Sequence, residues 1–296
     1  MKIDTHCHTD CSDGNITIEE RIDLIKKCGY DAATITDHDY VSNEQVERAK
    51  LACGEIPFIP GIELSLCYEN QTVHMLGFFI KPDNEILQNH IAAAQEKDLE
   101  ITCKLIDYFE KKFNYHITIE QLKSNSLNTF YSMMFIKNIA RNLFNNDART
   151  VMDAFLAGMK WFGLSYADFS PWNVRDVIEI IHTSGGLAVL AHPGGEEDGG
   201  MRNLGFLVHK DEHIRKFVEY GLDGIEVSNP VHSIEEKKYY NLLANKYKLL
   251  PTAGSDCHGD DPYLGPALMG TTEDIYENSY EVLCDFYTKR VQGSNL

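Results

Sequence analysis

The chain has 296 residues, 43% of them apolar, enough for one large domain with a sizeable core or for one domain carrying an insertion. Its 27 Lys and Arg face 45 Asp and Glu, a formal net charge of −18. That balance excludes a protein that grips long nucleic acid or an anionic membrane on its outer surface, because phosphates are held by a Lys and Arg excess, and it suits an enzyme of small molecules.

The predicted elements alternate from the start. Residues 1–8 (MKIDTHCH) read as a strand. Thr17-Ile18-Glu19-Glu20 is a capping box, and the helix it opens ends before Gly29. AATITDHD (32–39) is a second strand, followed by a polar helical stretch at 43–52. FIPGIELSL (58–66) and TVHMLGFFI (72–80) are two more strands, linked by the polar turn YENQ. From 88 to 170 strand signals vanish and the periodicity is helical, which marks a helical insertion between two parts of one domain, 1–87 and 171–296. The alternation then resumes with a helix at 174–184, the strand LAVLAHP (187–193), and a helix at 211–220 stopped by Gly221. The strand GIEVSN (224–229) follows, then a helix opened by the capping box Ser233-Ile234-Glu235-Glu236, then the strand LPTAGSD (250–256). Strands alternating with helices predict an α/β fold with a mainly parallel sheet.

The N-terminus lacks the basic, apolar and small-residue sections of a secretory leader, and no apolar run is long enough to span a bilayer. The eight cysteines are scattered over a long chain, unlike a disulfide scaffold, so reduced thiols and a cytoplasmic location are expected. Cys7 lies between two histidines on a predicted strand, so its thiol points to the opposite face as a small core residue.

Nearly every predicted strand ends in residue types that ligate metals. His6 and His8 are two apart, so both imidazoles face the same side. Asp13 follows in the next loop, His38 closes the second strand, and Glu63 and His74 lie within the third and fourth. His192 ends the fifth strand, and Asp256 and His258 end the last. Where strands run parallel in a barrel, their carboxyl ends form one face and that face carries the active site, so these distant residues would converge. Each has an ordinary reading alone, as a hydrogen-bonded or surface group. Together they require a cation, because a buried cluster of imidazoles and carboxylates is costly without one. Six imidazoles and three carboxylates exceed the four ligands of one zinc and suit two or three divalent ions sharing a carboxylate. The other six histidines, His90, His116, His182, His209, His213 and His232, read as ordinary surface residues, with His232 the exception.

These residues resemble the PHP (polymerase and histidinol phosphatase) family of metal-dependent phosphoesterases. The matching motifs are DTHCHTDCSDG (4–14), TITDHD (34–39), PGIELS (60–65), VHMLGF (73–78), LAHPGG (190–195) and GSDCHG (254–259), in family order. With its mid-chain helical insert, the layout is most similar to the branch that dephosphorylates nucleotides. The resemblance implies a distorted seven-stranded β/α (TIM-like) barrel with an inserted helical cap domain and a trinuclear site of zinc, manganese or iron. It implies one ion on His6, His8, Glu63 and Asp256, a second on Asp13, His38 and His258, and a third on His74 and His192 with Glu63 bridging. Nucleotide-acting relatives carry Arg-Pro-His before an Ile-Ala-Arg segment. Here Ile136-Lys137-Asn138 precedes Ile139-Ala140-Arg141, so the substrate-recognition surface is altered.

The implied reaction is hydrolysis of a small phosphomonoester, a nucleotide foremost, by water that clustered divalent ions activate. Lys137, Arg141 and Arg202 are the candidate anchors for the substrate anion, and Tyr131, Phe135 and Trp161 the candidates for stacking on a base. The alternatives are a histidinol-phosphate phosphatase, an amidohydrolase-like enzyme of C–N bonds, and a non-catalytic metal-binding regulatory module. The last would be favoured by a missing ligand, and none is missing. No Gly-x-Ser-x-Gly elbow supplies a nucleophile, and Cys257, between Asp256 and His258, points away by strand alternation.

Overall fold

The computed structural model describes residues 1–195, 208–260, 269 and 277–293. Within them six strands form one curled sheet in chain order: β1 (Ala33–Ile35), β2 (Phe58–Tyr68), β3 (Gln71–Phe78), β4 (Leu187–Leu190), β5 (Gly224–Ser228) and β6 (Leu250–Ala253). The β1–β2, β4–β5 and β5–β6 pairs are parallel. The β2–β3 and β3–β4 pairs are antiparallel, so the sheet is mixed where a mainly parallel one was expected. The cause is the turn between β2 and β3. Only Glu69 and Asn70 separate the strands, with φ of 52° and 62°. Two left-handed residues in a two-residue loop make a tight hairpin, whereas a parallel pair needs a crossover of about a dozen residues or more.

The strand expected over residues 1–8 is instead an extended segment with isolated bridges at Ile3–Ala32 and Cys7–Cys257. Its hydrogen bonds are split between two neighbours. The Lys2 and Cys7 carbonyls accept from Ala32 and Thr36 beside β1, while Thr5 N–H donates to Ala253 of β6 and His8 N–H to Cys257. Side chains interrupt the ladder as well, since the Thr36 hydroxyl accepts from Cys7 N–H and the Ser279 hydroxyl from Ile3 N–H.

The helices are α1 (Ile18–Lys27), α2 (Asn43–Cys53), α3 (Glu85–Phe113), α4 (Ser132–Leu143), α5 (Ala148–Trp161), α6 (Tyr166–Phe169), α7 (Val174–Thr183), α8 (Asp211–Glu219), α9 (Ile234–Tyr247) and α10 (Ser279–Val291). Both expected capping boxes form, at Thr17 and Ser233. None of the described helices is long and apolar enough to cross a membrane.

The period of two along each strand sorts side chains between two layers. Ile62, Leu64 and Leu66 of β2, Val73 and Met75 of β3, and Ala188 and Leu190 of β4 face outward, into a core shared with α7, α8 and α9. Ile59, Leu76, Phe78, Leu187 and Val189 face the other way, into a second core closed by Ile3 and by Leu283 of α10. Glu63 shares its face with Ile59, and His74 shares its face with Leu76 and Phe78. The concave side of the sheet is therefore apolar at one end and polar at the other. Leu87 and Ile91 at the start of α3 join the outer core, while Ile101, Leu105 and Phe109 farther along it pack against Phe135 and Ile139 of α4 and Val151 and Phe155 of α5.

One glycine is fixed by close approach. A Cβ on Gly254, just past β6, would lie 2.3 Å from the His6 Cβ and 2.6 Å from Glu226 Oε1. Both obstacles are buried, so Gly254→Ala has to displace backbone. Chemical denaturation is expected to show a loss of about 1–3 kcal/mol or more.

Candidate metal centre

Three turns that deliver polar side chains to the concave end hold non-glycine residues in the left-handed region: Asp39 (φ 46°), His192 (φ 23°) and Asp256 (φ 51°). Such backbone costs about 1–3 kcal/mol per residue and persists only where its surroundings impose it. Here those surroundings are buried hydrogen bonds. Asp37 accepts from Thr9 N–H (2.7 Å) and from Thr9 Oγ1, Ser12 Oγ and Gln45 Nε2, each at 2.6 Å, and so fixes the loop that carries Asp13. Arg21 is fully buried on α1 and donates to the carbonyls of His8 and Cys257 at 2.8 Å, tying the first and last ligand-bearing segments together.

Glu63 is the centre of the cluster, fully buried on β2. Its Oε2 lies 3.0 Å from His6 Nε2, 3.3 Å from His8 Nε2 and 3.3 Å from His38 Nδ1. Its Oε1 lies 3.0 Å from His74 Nδ1 and 3.1 Å from His192 Nε2. Asp256 Oδ1 approaches His8 Nε2 at 3.0 Å and His6 Nε2 at 3.3 Å, and Asp13 Oδ1 approaches His258 Nε2 at 3.3 Å. The structure thus brings together all nine of the residues that the sequence put forward for this role. Three groups of them have potential ligand atoms within 4.8 Å of one another: His6, His8, Glu63 and Asp256; His8, Asp13, His38 and His258; and His38, Glu63 and His74. His8 and His38 each belong to two groups, one more than the motif match implies, and His192 lies in none of the three, though its Nε2 meets Glu63.

Burial alone would raise the Glu63 carboxyl, but His6, His38 and His74 outweigh it and hold it well below the usual carboxylate range. Burial likewise opposes charge on His8, yet Asp256, Glu63 and Asp13 push it up to about 10. His38, stacked on His8 at 4.5 Å, goes the other way: burial, helped by His8 and His74, outweighs Glu63 and Asp13 and pushes it down to about 3. Among the described residues the buried Nδ1 atom of His8 has no hydrogen-bond partner, and that of His38, though 3.3 Å from Glu63 Oε2, makes no hydrogen bond. Crowded imidazoles with orphaned ring nitrogens around shared carboxylates are a donor set that fits divalent cations, which replace protons on nitrogen and satisfy several oxygens at once.

One supporting residue was not singled out from the sequence. Glu226 on β5 is fully buried and accepts from His6 Nδ1 (3.1 Å), His192 N–H (2.7 Å) and Asn229 Nδ2 (3.0 Å). It orients two potential ligands without lying in any of the three groups. The signal was present, because GIEVS (224–228) repeats the pattern of GIELS (61–65).

The other sequence candidates divide. Lys137 is buried on α4 and donates to the Asp13 carbonyl at 2.9 Å and Asn15 Oδ1 at 2.8 Å, which supports the Asp13 loop. Arg141 is exposed on α4, and Arg202 lies outside the described residues. Tyr131 stacks on His38 at 4.9 Å, Phe135 is in the helical core, and Trp161 is exposed beneath Lys112. Cys7 and Cys257 are buried together in the layer under α1 and α2, as expected. The expectation that the remaining histidines are surface residues is corrected at three positions, since His90, His209 and His213 are buried, and His232, the expected exception, is buried as well. His90 continues the apolar stripe of Leu87, Ile91 and Ala94 and sits edge-on to Trp172 at 4.7 Å. Burial lowers it to about 4, so it packs as a neutral ring. His232 accepts from Gly194 N–H at 3.0 Å and braces the turn after His192.

A cavity of about 350 Å³ opens over the cluster. Asp13, His38, His74, His192, Asp256 and His258 line its floor, and α3 to α6 supply much of its wall.

The PHP domain family matches residues 4–154, just over half of the chain. The chain belongs to the PHP family. It is 28% identical to the 3',5'-nucleoside bisphosphate phosphatase of Chromobacterium violaceum, over 92% of each chain. It is 25% identical to the 5'-3' exoribonuclease Rnm of Salmonella typhimurium, over 88% of this chain and 86% of that one. A protein from Bifidobacterium adolescentis described as a metal-dependent phosphoesterase shares its fold with a TM-score of 0.76 and 25% identity, over 96% of both chains. The PHP match ends before His192, Asp256 and His258, so in this chain the geometry, and not the family match, places His192 and Asp256 beside Glu63 and His258 beside Asp13.

Two measurements test this centre. His8 holds a proton at pH 7 in the metal-free chain, because its pKa lies near 10, and a ligating nitrogen must give that proton up. Manganese added to chelator-treated protein is expected to release protons into weakly buffered solution, and affinity is expected to rise with pH from about 6 to 9. Glu226→Gln is expected to keep the fold while weakening metal binding roughly 10–100-fold, as read by calorimetry.

Proposed function

We propose that this metal-dependent phosphoesterase of the PHP family hydrolyses small phosphomonoesters, nucleotides foremost, at a site for three divalent ions. The observation that supports this most is the meeting of nine ligand-type side chains around one buried carboxylate at the floor of a cavity of about 350 Å³. His6, His8, Glu63 and Asp256 would hold one ion, Asp13, His38 and His258 a second, and His74 and His192 with Glu63 a third. Ions held there would supply hydroxide near neutral pH and stabilise charge on the phosphoryl oxygens, and zinc, manganese and iron would all suit such donors.

The chain's own residues position and enclose. Glu226 takes the proton on His6 Nδ1 and leaves Nε2 facing the cluster. Tyr131 stacks on the His38 ring and shields that face of it. In this reading the segment 1–8 acts as a seventh strand closing the curl into a barrel, and residues 88–170 act as the cap over its mouth. A capped cavity suits a small phosphate ester. It also reconciles the −18 charge with an anionic substrate, because the cationic floor lies inside an acidic shell.

Phosphate release from a panel of nucleoside phosphates, histidinol phosphate and a short 5'-phosphorylated RNA, with manganese present, is expected to show fastest turnover of nucleotides. His38→Ala is expected to lower the rate at least about a hundredfold. A chain with its metal bound that turned over none of these, or an unchanged rate in the variant, would sink the proposal.

A further inference from the structure

The helical insertion grips the loop that carries Asp13, between the N-terminal segment and α1. Ser126 N–H donates to Asp10 Oδ2 at 3.1 Å, and the Thr129 hydroxyl donates to the Cys11 carbonyl at 2.7 Å. Lys137 of α4 is buried, and its Nζ donates to the Asp13 carbonyl at 2.9 Å and to Asn15 Oδ1 at 2.8 Å. Asn15 donates in turn from its backbone N–H to the His258 carbonyl at 2.7 Å and from Nδ2 to the Asp260 carbonyl at 2.8 Å. Tyr131, which precedes α4, stacks on His38 at 4.9 Å. The start of one helix therefore bears on Asp13 through its carbonyl, on His258 through Asn15, and on His38 directly. These are three of the four members of one group of potential ligands.

On charge alone a lysine is a poor neighbour for a cation site. An ammonium would weaken the binding of a divalent ion nearby, and burying one is costly unless acceptors meet it. What Lys137 offers the site is position. Its two acceptors lie on either side of Gly14, so together they fix the backbone that aims the Asp13 carboxylate, whose Oδ1 lies 3.3 Å from His258 Nε2. Groups that orient a metal ligand without touching the metal contribute substantially to affinity.

Resting on the reading above that Asp13, His38 and His258 would hold one of three ions, we propose that Lys137 is a positioning residue for that ion. It locks the Asp13 loop to the insertion, so that this ion, and not its neighbours, is bound through a contact the insertion makes.

The test titrates manganese into the full-length, chelator-treated protein by calorimetry, without substrate, and counts the ions retained after dialysis by elemental analysis. Lys137→Met keeps the length of the side chain and removes its donors. The expected result is binding roughly 10–100-fold weaker for one ion, with the others within about threefold of wild type. In an Asp13→Asn background, where that ion is already lost, Lys137→Met is expected to change the remaining affinities by less than about threefold. Unchanged binding in Lys137→Met would overturn the inference and return Lys137 to the role of a substrate anchor. Tighter binding would overturn it as well, since charge would then outweigh position. Equal weakening of every ion, or a further loss in the Asp13→Asn background, would mark a general structural role and overturn it too. Thr129→Val, which removes the hydroxyl on the Cys11 carbonyl, decides the matter where Lys137→Met does not fold: selective weakening of the same ion supports the inference, and unchanged binding overturns it. These outcomes leave the metal reading intact. A wild-type chain that binds no manganese, or an Asp13→Asn chain that loses no ion, would overturn that reading itself, and this inference with it.

Discussion

A fully buried glutamate has to be satisfied, and the polar half of this molecule is organised around doing so. Two oxygens of Glu63 meet nitrogens of five imidazoles at 3.0–3.3 Å, drawn from the N-terminal segment, the turn after β1, β3 and the turn after β4. A carboxylate offers about four lone-pair sites, so five crowded rings cannot all donate a proton to it. The opposite displacements of His8 and His38, stacked at 4.5 Å, express that conflict. Divalent cations resolve it, because they put positive charge between the donors and leave each imidazole neutral.

The fold supplies the convergence through ordinary strand geometry. Alternation along β2 and β3 puts Glu63 and His74 on the face that carries Ile59, Leu76 and Phe78 farther down, so one concave surface is core at one end and site at the other. The hairpin at Glu69-Asn70 brings His74 opposite Ser65, two residues from Glu63. Left-handed backbone at Asp39, His192 and Asp256 turns the chain sharply where ligands must be aimed inward, and Gly254 lets β6 approach His6 closely. These are local costs carried by the surrounding core, a pattern of strain concentrated at functional sites.

Much of this was legible in the sequence, for a physical reason. Ligand-type residues in apolar strands are conspicuous because burial makes them expensive, and all nine came together. Helix starts were legible where side chains cap them, as at Thr17 and Ser233. What escaped depended on geometry that residue types do not announce. The antiparallel course of β3 hung on two left-handed residues, and the irregularity of residues 1–8 hung on hydrogen bonds divided between two neighbours. Glu226 was hidden because it supports ligands without being one, although GIEVS echoes GIELS. His90 and His209 were misjudged because an imidazole can fill an apolar stripe as a neutral ring. Lys137, which as a cation looked suited to a phosphate, is committed to the Asp13 loop.

The central claim is that this cage of imidazoles and carboxylates exists to hold metal. Elemental analysis of the purified chain, dialysed after saturation with manganese, tests it most directly. The account predicts two to three divalent ions per chain, falling by at least one when Glu63 is replaced by Gln; less than one ion per chain in the folded wild-type protein would contradict it.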